Sequence, residues 1–323
     1  MKRAWFLTTA ACVVLILGII LAFGPGVPPA AGATESRPGV RANAAACSVS
    51  GSVSADTTWS PAGCDPYIVS GSVVVPTGVT LTIAPGTTVK FDSLKGLLVQ
   101  GTLVARGTAG NPITFTSNQG TPAKGDWNSI HFTDSSTDAT FDGSGSYVGG
   151  SIIQYAVIEY AGSPGATGTL YIEASSPYID HNTIRNNGAK GINAAGNGAL
   201  RVNNNTITGN TTSYSDGGGG GIYVNQGAVT INNNTITGNT ALASGNAGGI
   251  FAIGTVTITN NTITGNTASG ICGGIFASGT GTITNNTITS NTASNSGGGI
   301  CASFTGTITN NTITSNTASN SGG

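Results

Sequence analysis

The chain has 323 residues, 51 of them glycine; only 7% are charged, and the formal net charge is -1. That balance lacks the basic footprint of a nucleic-acid-binding protein and the high net charge of a disordered chain, and so argues against both. After Asp216 no Asp, Glu, Lys, Arg or His occurs up to Gly323, so hydroxyls and amides alone must keep that segment hydrated.

Residues 1–33 read as an export signal. Met1, Lys2 and Arg3 open it, Ala4 to Phe23 is apolar, and the AAGA ending at Ala33 is a cleavage motif. The apolar run, about 20 residues, is also long enough to span a bilayer. An uncleaved anchor is therefore the alternative, and the only route by which the chain would meet a membrane. Either way, the chain from Cys47 onward is expected outside the cytoplasm, secreted or at the cell surface, where disulfides persist. Residues 34–46 read as a flexible linker and 47–66 as a small entry cap. Cys47 and Cys64 flank that cap and are expected to pair, a loop closure worth about 3 kcal/mol in the chain-entropy model. Cys272 and Cys301 form a poorer pair, because Cys301 aligns with Phe276 and leaves Cys272 off register in a corner.

Residues 67–323 carry a repeat. NNTIT begins at Asn204, Asn233, Asn260, Asn285 and Asn310, spaced 29, 27, 25 and 25 residues apart, with looser copies at Tyr155 (YAVIE) and His181 (HNTIR). Periods of this size mark stacked repeats. Each copy contains three short alternations of apolar and polar residues, the mark of strands with one buried face. Aligned copies give three Ile columns, passing through Ile250, Ile258 and Ile263 in one rung and Ile275, Ile283 and Ile288 in the next. Three columns predict an all-β, three-faced parallel β-solenoid with rungs of about 25 residues. Gly-Gly before the first strand and Asn-Asn between the other two read as turn residues that tolerate positive φ. Asn at identical corners is expected to stack amide on amide, satisfying buried polar groups rung by rung. The last rung stops at SNSGG, where the preceding one continues into GICASFTG. A bare rung exposes strand edges, so further rungs or an attachment domain are expected beyond it, with a capping partner or head-to-tail stacking as the alternative.

Besides the NNTITGNT rungs, PYIVSGSVVVPTGVTLTIAPGTTVKF, GLLVQGTLVARGTAGNPITFTS and GDWNSIHF resemble the secreted right-handed parallel β-helix repeat proteins of bacteria, of pectate-lyase-like shape. The resemblance covers roughly residues 65 to 323 and implies a right-handed coil. For function it implies only a range, since that fold hosts lyases, hydrolases, adhesins and spacers.

Acid-base chemistry is confined to residues 126–216, because no carboxylate or imidazole follows. Alignment places His131 outward beside Glu173, and Glu159 beside Arg185. These are the weak catalytic candidates, and a surface ion pair is the plainer reading of Glu159 with Arg185. Asp134, Asp138 and Asp142 lie in a Gly/Ser-rich insertion that reads as a loop, with calcium its alternative occupant if the carboxylates converge; no zinc spacing, phosphate loop or Ser-His-Asp order is present. Tyr171, Tyr223, Phe251 and Phe276 align in an outward column that reads as an exposed strip for an extracellular polysaccharide or cell-surface partner, outside the core. Thr206/Thr208, Thr235/Thr237, Thr262/Thr264, Thr287/Thr289 and Thr312/Thr314 form a Thr-x-Thr ladder resembling the flat arrays of ice-binding solenoids, although Thr also suits any exposed strand. The expected function is an exported structural, adhesive or glycan-contacting module. A polysaccharide lyase or glycoside hydrolase is the second reading and an ice-binding protein the third.

Overall fold

The computed structural model describes residues 44–196, 198–212, 218–242 and 244–323; the expected export signal and residues 34–43 of the linker lie outside them. The described residues form a parallel β-solenoid of about ten turns. Cys47–Ser52 pairs in parallel with Tyr67–Val75, and Thr57–Trp59 with Thr80–Ile83. The stretch expected as a separate entry cap is thus the first coil. Its Ser-Val alternation carries the same strand signal as the later coils.

Each regular coil has three main faces. The first and second are continuous in one bent strand, such as Ile222–Asn232, Ile250–Thr259 and Ile275–Thr284. The third is the short TIT strand, such as Thr206–Thr208, Thr235–Thr237 and Thr262–Thr264. All three Ile columns stack in register, and Ile222, Ile231, Ile236, Ile250, Ile258 and Ile263 are wholly buried. In the earlier coils aromatic rings fill the wider interior, where Phe91 stacks on Trp127 at 4.0 Å. A fourth ladder was not among the expected three: Thr211–Thr212, Thr240–Ala241, Thr267–Ala268, Thr292–Ala293 and Thr317–Ala318 pair in parallel between the third face and the first. Its inward residue is a small Ala, or Thr212, so it leaves no trace in the Ile pattern.

The corners carry two buried asparagine ladders. Asn182, Asn205, Asn234, Asn261 and Asn286 occupy the corner between the second and third faces, and Asn187, Asn210, Asn239, Asn266 and Asn291 the corner after the third. Asn182 and Asn187 Oδ1 each accept the N–H of an alanine in the coil before, and from Asn205 and Asn210 onward each Oδ1 accepts two bonds from the preceding asparagine. Asn261 Oδ1 takes the Asn234 N–H at 2.8 Å and its Nδ2–H at 3.0 Å. Asn261 Nδ2 in turn donates to the carbonyls of Ile231 and Thr259, each at 2.9 Å, and to Asn286 Oδ1 at 3.0 Å. The residue just before the first ladder lies in the left-handed region, as at Asn204, Asn233 and Asn260 (φ 58, 57 and 58). The Gly pairs have a different role from the expected one. Gly249 needs no positive φ; a Cβ there would stand 2.6 Å from the Gly274 carbonyl oxygen, so the coils approach too closely for a side chain.

Two comparisons test this packing. Asn261→Ala strands several buried donors and acceptors, at about 1–3 kcal/mol for each unsatisfied group, and is expected to lower the denaturation midpoint sharply. Thr262→Ala, one residue on and exposed, is expected within about 0.5 kcal/mol of the parent. Likewise Ile288→Asp is expected to prevent folding or cost severely, because it puts an unpaired charge into a dry column, whereas Thr287→Asp is tolerated. Equal effects within either pair in equilibrium denaturation would contradict the facing described here.

Candidate functional site

The outward column of the first face runs Val74, Leu98, His131, Tyr171, Asn193, Tyr223, Phe251, Phe276, Cys301, each in register with the next. Its two halves differ. At the N-terminal end it lies along a shallow groove of about 240 Å³ lined by Ser72, Val74, Leu98, Asn128, Ser129 and His131. His131 Nε2 meets Glu173 Oε2 at 3.1 Å, and the imidazole lies 4.5 Å from the Tyr171 ring. Burial, then the Glu173 charge, push the Tyr171 hydroxyl above its ordinary pKa. The groove therefore sets apolar Val74 and Leu98 beside His131, whose imidazole is tied to Glu173 and Tyr171 in the next coil.

In the C-terminal half the rings are spent on one another. Tyr223 stacks on Phe251 at 4.9 Å, and Phe251 on Phe276 at 4.6 Å, with the planes 11° and 8° apart. The Lys190 ammonium lies 4.4 Å from the Tyr223 ring centre at one end, and Cys301 stands in register with Phe276 at the other. Ala247, Ile271 and Cys272 fold back over the stack from the corners, leaving Phe251 only 6% exposed. This corrects the reading of Phe251 as an exposed ring, while Tyr223 and Phe276 beside it are half-buried. Alternation fixes the side of the sheet a ring takes, not whether a corner loop covers it. Cys272 and Cys301 are disulfide-bonded, Cα to Cα 5.6 Å, which overturns their reading as a poor pair. The left-handed backbone at Cys272 (φ 63) lets that corner return across one coil spacing. Cys47 and Cys64 are also joined by a disulfide.

Of the other charged candidates, Glu159 and Arg185 are paired with each other. Arg185 Nε donates to Glu159 Oε2 at 2.8 Å, and the Thr116 hydroxyl donates to Glu159 Oε1 at 3.1 Å. Asp138 accepts the Ser176 N–H, while Asp142 accepts from Ser144 and Ser146, and Ser144 chiefly holds its carboxyl below the usual range. Among the described residues Asp134, Asp138 and Asp142 are not gathered into a metal-ligating group.

The sequence reading missed one cluster. Asp180 is buried and accepts from Gln154 Nε2 at 2.7 Å and Asn204 Nδ2 at 2.8 Å, with His181 Nδ1 at 2.8 Å. An ionised carboxylate only accepts, so Nδ1 carries the proton and a neutral ring turns its Nε2 lone pair elsewhere. The His181 ring is 41% exposed and stacks on Tyr155 at 4.7 Å. Both backbones are left-handed (φ 54 and 50) at the corner where Asn204, Asn233 and Asn260 stand in later coils. Aligning those copies shows the departure from Asn, but a neighbouring Asp and His reveal no dyad until the left-handed turn brings the ring back.

Comparison with protein families matches residues 113–282 and 173–323 to the right handed beta helix region, and residues 51–169 to the pectate-lyase like beta helix domain. The chain belongs to the right-handed β-helix family. No curated protein and no solved structure matches it. In this β-helix the Thr-x-Thr columns run in register from Thr206 and Thr208 to Thr312 and Thr314.

The covered rings have a measurable consequence. Phe251→Ala is expected to cost about 3–5 kcal/mol, as for a buried aromatic, and to lower the thermal midpoint clearly. A change below about 0.5 kcal/mol would return Phe251 to the solvent.

Proposed function

We propose that this β-helix is an exported or cell-surface module with a structural or adhesive role, contacting a glycan through the groove beside His131. Two disulfides, which persist in oxidising compartments, support the location. The observation that carries the contact is the groove itself: Val74 and Leu98 give it apolar surface, Ser72, Asn128, Ser129 and His131 line it with donors and acceptors, and Glu173 holds the His131 ring. Sugars present that mixture, an apolar ring face edged by hydroxyls, and pockets for small ligands combine the same elements. Beyond Asp216 the coils offer no carboxylate or imidazole, which suits a rigid spacer. Binding to a polysaccharide and cell-wall panel tests this. The parent is expected to be retained by at least one member, and Leu98→Asp with Tyr171→Ala to weaken retention at least tenfold while the fold persists. Unchanged retention in that variant would remove the groove.

A second reading, a polysaccharide lyase or hydrolase, is favoured by the Asp180–His181 pair. Its buried carboxylate holds the imidazole tautomer that leaves Nε2 free to accept a proton, the requirement for a general base. Release of reducing or unsaturated sugar ends that is lost in His181→Ala would establish it; no release from the panel would leave the binding role.

A further inference from the structure

The third face is unlike the others in how it is held. Each TIT strand lies between the two buried asparagine ladders, with Asn205 just before Thr206–Thr208 and Asn210 two residues after it, and the same pair brackets every later coil. Both edges of each strand are thereby tied to the next coil by side-chain and backbone bonds. Thr206, Thr235, Thr262, Thr287 and Thr312 form one outward column in register, and Thr208, Thr237, Thr264, Thr289 and Thr314 a second. The first column is exposed throughout. Thr211, Thr240, Thr267, Thr292 and Thr317 add a third column in the short ladder beyond the corner. The spacing is about 4.8 Å between coils and about 6.7 Å along the strand, over a length of roughly 19 Å. Charge stops at one end of this array: Arg185 and Glu159 pair in the two preceding coils, and Lys124 Nζ reaches the Thr211 hydroxyl at 2.9 Å. From Thr235 onward the face carries hydroxyls, methyls and amides alone.

We propose that this face binds ice. A surface engages a crystalline lattice only if its own groups are periodic, rigid and free of charges that hold disordered hydration shells. The asparagine ladders supply the period and the rigidity, and threonine supplies at each point a hydroxyl that donates and accepts beside a methyl that sheds water. The face is neutral, as the lattice is, and its two repeats lie close to spacings of hexagonal ice. It carries no aromatic ring on which a sugar would stack, which separates it from the groove on the first face; the inference is independent of the glycan reading.

The test uses the full chain in thermal hysteresis and ice-recrystallisation assays. The parent is expected to show both, rising with concentration. Thr262→Lys and Thr237→Lys, each at the middle of the array, are expected to lose at least nine-tenths of the effect with an unchanged melting temperature. Thr255→Lys, exposed on the bend between the first two faces, is expected to retain it. Absence of both effects in the parent overturns the proposal, as does equal activity in the array variants or equal loss in Thr255→Lys. Retention on crystalline cellulose or chitin that the array variants lose, without any effect on ice, would also overturn it and assign the face to a solid polysaccharide.

Discussion

Two rows of buried asparagine side chains set the geometry on which everything else in this solenoid depends. An amide has two donors and two acceptor sites, and at both corners Nδ2 donates down to a carbonyl of the previous coil and up to the next coil's amide oxygen. A buried amide without partners would be strongly unfavourable. With its partners repeated above and below, it fixes coil spacing and register together. Apolar columns alone would bury area but would tolerate sliding; the amides do not.

That constraint divides the molecule. From Asn204 onward the corners repeat asparagine and the outward positions of the third face repeat threonine. Before it, the same corner position holds Tyr155 and His181, and the outward positions hold His131, Glu173, Glu159 and Asp180. Local departures from a repeat that stabilises itself cost stability, and the proposed recognition and acid-base groups lie among them. His181 is the clearest case, a bulky residue in a left-handed turn, secured by its buried carboxylate neighbour.

The sequence makes the fold plain because period and alternation are themselves the physics of stacked strands: the Ile columns and the positions of His131, Glu173, Glu159 and Arg185 follow from aligning copies. What it hides depends on backbone turns between coils. The cover over Phe251 comes from left-handed residues in corner loops such as Ser244, Ala247 and Cys272, which no periodic pattern announces. The Cys272–Cys301 bond is hidden for the same reason, since the corner bends back across the register. The fourth ladder escapes because its inward residues are as small as Ala241 and Ala268. The Asp180–His181 pair escapes because adjacency in sequence ordinarily points two side chains apart.

The central claim, that asparagine amides lock each coil to the next, is tested most directly by native-state hydrogen exchange at the backbone N–H groups that donate to ladder oxygens: Asn205, Asn210, Asn234, Asn239 and Asn261. The account predicts that these amides exchange only through global unfolding, with one shared, denaturant-dependent opening free energy. Exchange through local opening, with free energies near zero and no dependence on denaturant, would contradict it.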